Sequence, residues 1–299
     1  MAHASAYAPH QRFIAPARKR CELWRLPVSA LLIMAIYLAP NAAASLYVAV
    51  AFGPEVANGL RDRILTGSTP GAMLVMLYSF AGLAIATMTA VRLVHRRSPA
   101  TLFGPDAGNT GRDFLRVVLP LGGLQILIAS LALINPAIQP GLSLASFLGY
   151  LPFSIPGLLI QTGAEELLFR GYLQQQLAAR FRAPVIWMGL PSALFAWGHY
   201  APEEFGPGAL AIVLWAFVFG CLAADLTART GNLGAALALH AANNAAALFF
   251  IAIDGSLDGL ALWSLPMDFA TDLAAPAVLA ADFLAMLCGW LLARLILRC

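Results

Sequence analysis

The sequence predicts an all-α protein, a polytopic membrane helical bundle of about eight transmembrane helices with both termini cytoplasmic. Three observations carry that expectation. Of 299 residues, 60% are hydrophobic and only 11% charged, against about 25% charged in an average soluble domain. The apolar residues gather in runs of about the 20 needed to cross a bilayer. The cations, finally, are concentrated on alternate connecting segments, as Lys and Arg are on cytoplasmic loops.

Taken in order, the first 25 residues carry Arg12, Arg18, Lys19, Arg20 and Arg25. They resemble the charged start of a signal peptide, but the apolar stretch that follows is longer than a signal's and has no convincing cleavage site, so it is expected to stay as the first span. Apolar runs then lie at 26–52, 70–94, 114–135, 143–181, 184–201, 208–229, 232–253 and 274–297. The fourth is too long for a single crossing, and its polar end, Gly171 to Arg182, is expected to leave the membrane as a continuing helix. With the N-terminus inside, every cation except Arg61 and Arg63 falls on an inner segment, while Glu203, Glu204, Asp254, Asp258, Asp268 and Asp272 fall on outer loops. Seven spans would put Arg294 and Arg298 on the wrong side.

The net charge of +3 is accounted for by this distribution, so no nucleic-acid surface is expected. Cys21, Cys221, Cys288 and Cys299 show no CxxC or Cys/His spacing, which argues against a disulfide framework or a zinc knuckle.

A charged group at membrane depth costs on the order of 2.5–3.5 kcal/mol and therefore needs a reason. Three places stand out. In the fourth run, Glu165-Glu166-Leu167-Leu168-Phe169-Arg170 sets two carboxylates and a guanidinium on a helix. Glu166 and Arg170, four apart, can pair on one face, while Glu165 is rotated by about 100° and left free. Apolar surroundings and a neighbouring carboxylate are the conditions that tune a carboxyl group for acid/base work. The plainer reading is a charge cluster that packs helices.

The fifth run ends Phe195-Ala196-Trp197-Gly198-His199. Alone, His199 reads as an interfacial residue. However, residues 165 and 199 are equally far from residue 182 at the turn between their helices, which brings Glu165 and His199 to one depth, within reach of a shared water. In the seventh run, His240 and Asn244 are four apart and face the same way. Both can donate to a developing oxyanion, or the histidine can ligate a metal; polar glue between small-residue helices is the alternative. Asp225 and Arg229 read as a local ion pair. Measured from the outer helix ends, His199 and His240 fall at different depths, which requires the 202–208 loop to dip into the bundle or the fifth helix to tilt strongly.

Together, EExxxR at 165–170, FxxxH at 195–199 and HxxxN at 240–244, in this order on successive membrane helices, resemble the CPBP family: the CAAX-protease and bacteriocin-processing intramembrane endopeptidases, related to the type II CAAX prenyl endopeptidase. The resemblance implies a proteolytic core at 143–253, with a basic tail at 1–25, N-terminal helices at 26–142, and an outer loop and last helix at 254–299. It implies that Glu165 with His199 activates the attacking water, that Glu166 and Arg170 support the helix, that Phe195 is a supporting residue, and that His240 and Asn244 hold the oxyanion. It also implies a membrane-associated or lipid-modified peptide or protein as substrate, and the bacterial inner membrane as location. No cofactor is favoured, since HExxH is absent; the alternative is zinc held by Glu165, His199 and His240. Other function classes to be weighed are a non-enzymatic immunity or scaffold factor and an ion- or proton-coupled transporter. The inverted repeats common in transporters are not evident.

Overall fold

The computed structural model describes residues 6–267 and 276–299; Asp268 and Asp272, expected on an outer loop, lie outside them. The chain is an integral membrane protein, and its side chains are distributed inside out. Leu31, Leu46, Val50, Leu119 and Leu295 are exposed, whereas Glu166, Arg170, Gln174, Gln175 and His240 are buried. In lipid, an apolar surface has nothing to gain by hiding, and polar groups must find partners within the bundle.

After a short N-terminal helix, α1 (Ala8–Ile14), the main helices are α2 (Arg25–Phe52), α3 (Pro54–Thr66), α4 (Pro70–Leu93), α5 (Ala107–Ala132) and α6 (Leu144–Arg180), followed by α7 (Val185–Trp197), α8 (Ala209–Thr230), α9 (Gly234–Phe250) and α10 (Pro276–Leu297). Six of these are long and apolar enough to span a bilayer: α2, α4, α5, α6, α8 (from Gly206) and α10. α7 and α9, expected as full spans, are shorter. At 1.5 Å per residue they extend only about 20–25 Å, less than the roughly 30 Å hydrocarbon core.

Several helix boundaries have visible causes. Thr69 caps α4 by accepting from the Ala72 amide at 3.4 Å, and Ser143 caps α6 by accepting from the Ser146 amide at 3.2 Å. α3 occupies what the sequence left as a loop. Pro54 starts it, and Gly67, at φ +58°, ends it in the left-handed conformation that an L side chain resists. α8 ends similarly at Gly231, φ +71°, where a Cβ would lie 2.7 Å from the Pro9 carbonyl oxygen. The tail therefore docks against the bundle as α1, with His10, Phe13 and Ile14 buried.

α6 does continue to Arg180 as one helix, but residues Leu167–Gln174 form a wide π-helical stretch directly after Glu166. Such wide turns shift the helix phase and are frequent at functional sites. Among the described residues, the one sheet is small: β1 (Gln139–Pro140) and β2 (Ile251–Ile253) flank β3 (Trp263–Leu265). The β-branched Ile-Ala-Ile stretch thus leaves the expected seventh span to pair with β3.

At one end of the bundle, Arg25 reaches the Val94 carbonyl, Tyr7 reaches Asp225, and Asn232 reaches Asp113. The cationic tail and the inner segments expected from the charges therefore share that end. α3, with Arg61 and Arg63, packs at the other end beside residues 256–259.

Candidate active site

The three sequence motifs converge on α6, α7 and α9. Glu166 is wholly buried, and its Oε1 accepts from both Arg170 Nη1 and His240 Nδ1, each at 2.8 Å. Arg170 also donates to the Gly220 carbonyl at 3.3 Å and stacks over the Phe195 ring at 4.8 Å. The expected i,i+4 pair therefore exists, and it extends to His240 and to the backbone of α8.

Glu165 Oε2 lies 3.3 Å from His240 Nε2. Its side chain is 13% exposed, so it borders the buried cluster rather than lying sealed within it. The His240 ring thus stands between the two glutamates, one nitrogen toward each. With both acids ionised and Arg170 charged, one further proton neutralises the group, and a buried net charge is costly.

Aromatic rings wall the cluster. Phe195 meets His199 at a centroid distance of 4.5 Å, His240 at 5.9 Å and Phe169 at 5.2 Å, while Phe219 meets His240 at 5.1 Å. Both histidines consequently touch the same ring, which removes the depth mismatch: α7 is a short helix, and His199 follows directly after its end. His199 Nδ1 lies 2.8 Å from the Phe195 carbonyl oxygen. Since a carbonyl only accepts, Nδ1 is the donor, and Nε2 is the nitrogen left for other partners. No direct hydrogen bond or ion pair joins Glu165 to His199; the imidazole against Glu165 is that of His240.

Asn244 donates from Nδ2 to Gln161 Oε1 at 3.0 Å. Gln161 is 8% exposed and went unnoticed in the sequence. Its position four before Glu165, on the same face of α6, was the available signal. Among the described residues, no group of three or more His, Cys, Asp or Glu side chains is arranged to hold a metal ion. Glu165 and His240 supply two neighbouring donors, and His199 does not join them as a third.

Fold and site define a class: a polytopic membrane protein in which a long spanning helix and a shorter neighbour carry a largely buried Glu–Glu–Arg–His cluster. Residues 147–246 match the model of a family described as type II CAAX prenyl endopeptidase Rce1-like. The chain is also 26% identical over 258 residues to the protein named "Uncharacterized protein YyaK" of Bacillus subtilis (strain 168), covering 83% of this chain and 84% of that one. No solved structure matches.

Proposed function

We propose that the chain is an intramembrane endopeptidase that hydrolyses peptide bonds in a membrane-associated or lipid-modified substrate, in the bacterial inner membrane with its cationic end in the cytoplasm. The observation that carries this reading is the His240 ring set between Glu165 and Glu166, with Arg170 balancing the inner carboxylate. The family match supplies the reaction class.

In this reading Glu165, as carboxylate, accepts a proton from a water molecule as its oxygen attacks the carbonyl carbon of the scissile bond. His240 holds Glu165 in place and shares the proton. The carbonyl π electrons move onto oxygen, and the resulting oxyanion is met by an amide N–H of the Asn244–Gln161 pair. As the oxyanion collapses, the C–N bond breaks, and the proton taken from water passes to the leaving nitrogen, giving a carboxylic acid and an amine. His199, through Nε2, is a second proton acceptor beside the same ring. This differs from the roles the resemblance implied in one respect. His240 has Nδ1 bonded to Glu166 and Nε2 turned toward Glu165 at 3.3 Å, so it serves Glu165, and the oxyanion falls to Asn244 with Gln161.

The test is to reconstitute the purified chain and offer quenched peptides, prenylated and plain, with products identified by mass spectrometry. Cleavage at one defined bond is expected, unchanged by 1,10-phenanthroline. Intact peptides throughout, under conditions where a related endopeptidase cleaves them, would remove the protease reading in favour of a binding or relay role.

A further inference from the structure

A second site lies away from the glutamates, at the cationic end. α1 is held in place by several contacts: Tyr7 Oη donates to Asp225 at 2.8 Å, His10 packs on Trp187 at 4.6 Å, and Pro9 lies against Gly231. Between α1 and the corner that joins α6 to α7 remains a cavity of about 800 Å³. That is within the range of roughly 300–1,000 Å³ usual for small-ligand sites. Arg18, Arg180 and Arg182 stand around it, over a floor that includes Ile14 and Trp187.

Some cations at the same end are paired with carboxylates, and these three, like several others there, are not. Arg25 is paired with Glu22 and Arg229 with Asp225, and within the bundle Arg170 is paired with Glu166. Among the described residues no carboxylate pairs with Arg18, Arg180 or Arg182, and the contact Arg18 does make is to the neutral amide of Gln11. Three guanidiniums without counter-charge, around a cavity with an apolar and aromatic floor where helices leave the membrane, match the chemistry of a lipid phosphate with its first glycerol and acyl carbons.

We propose that this cavity binds the headgroup of an anionic glycerophospholipid from the leaflet at the cationic end, with Arg18, Arg180 and Arg182 on the phosphate and Trp187 against the glycerol and upper acyl chain. The lipid then bridges α1 to the α6–α7 corner, so the N-terminal helix docks more firmly in an anionic membrane. The site does not depend on the protease reading.

Full-length wild type and a variant carrying R18Q, R180Q and R182Q are purified in detergent and offered equal amounts of phosphatidylglycerol and phosphatidylcholine. Retained lipid is then counted by native mass spectrometry. Each surface cation multiplies retention of an anionic lipid by about five, so the triple variant should lose preference for phosphatidylglycerol by on the order of a hundredfold at low salt. The corresponding triple lysine variant should keep most of it, and R61Q with R63Q, at the other end, should change nothing. Equal retention of both lipids by wild type, or undiminished preference in the glutamine variant, overturns the proposal. So does displacement of the lipid by millimolar inorganic phosphate, which would assign the cavity to a soluble phosphate instead.

Discussion

Glu166 shares one carboxylate oxygen between Arg170 and His240 in a fully buried position. Arg170→Met leaves an uncompensated buried charge and should destabilise the protein by about 3–5 kcal/mol, visible as a lower melting temperature in detergent. Asn244→Ala removes the proposed oxyanion donor and should lower kcat by about 10²–10³-fold with little change in melting. Gln161→Leu, which removes the partner of the Asn244 amide, should lower the same parameter by less, and a change confined to KM would assign Gln161 to substrate binding. The Glu166–Arg170 pair was legible in the sequence because helical spacing dictates it. The partnership of His240 with both glutamates was not, because it depends on how α9 packs against α6, and helical spacing along one chain segment says nothing about that.

At the level of elements, α1 was the least legible: a charged, Pro-containing tail carries no sign that His10, Phe13 and Ile14 will be buried. Its docking should be sensitive to acid. Burial, reinforced by Arg18, holds the His10 imidazole down at about 4, and burial does the same at His95, which sits between the Tyr172 hydroxyl at 3.0 Å and the Arg20 carbonyl at 3.1 Å. A folded value below the unfolded value of about 6.5 means that the neutral ring is favoured in the folded state. The stability these groups contribute is therefore complete above about pH 6.5 and is lost as pH falls toward 4. Limited proteolysis near residues 15–21 should accelerate over that window, and His10→Gln should flatten the dependence; cleavage that is uniform from pH 7 to 4 would contradict it. α7 and α9 were read as full spans because apolar composition does not reveal where a helix stops. The structure shows that they stop short, and the two motif histidines lie on or just after them.

For the whole molecule, composition and cation placement were enough to identify a membrane bundle, because burying so few charges in so apolar a chain has one solution. The small sheet and α3 were hidden, since short strands and an interfacial helix leave only local Gly, Pro and β-branched cues. The inside-out pattern of polar core and apolar surface follows from lipid as solvent, and it explains how a carboxylate cluster survives between helices. The orientation proposed from the charges predicts that single cysteines introduced at Arg61 and at Arg112, in a chain otherwise free of cysteine, react with an impermeant maleimide from opposite sides of intact spheroplasts: the former from outside, the latter only after lysis.

In the proposed mechanism Glu165 performs the chemistry and Glu166 supports it. The direct measurement is turnover of one cleaved peptide by wild type and Glu165→Gln, reconstituted side by side in liposomes, with melting curves recorded for both. A loss of about 10²–10⁴-fold in kcat at nearly unchanged melting temperature is expected. Turnover by Glu165→Gln equal to that of the wild type would contradict it.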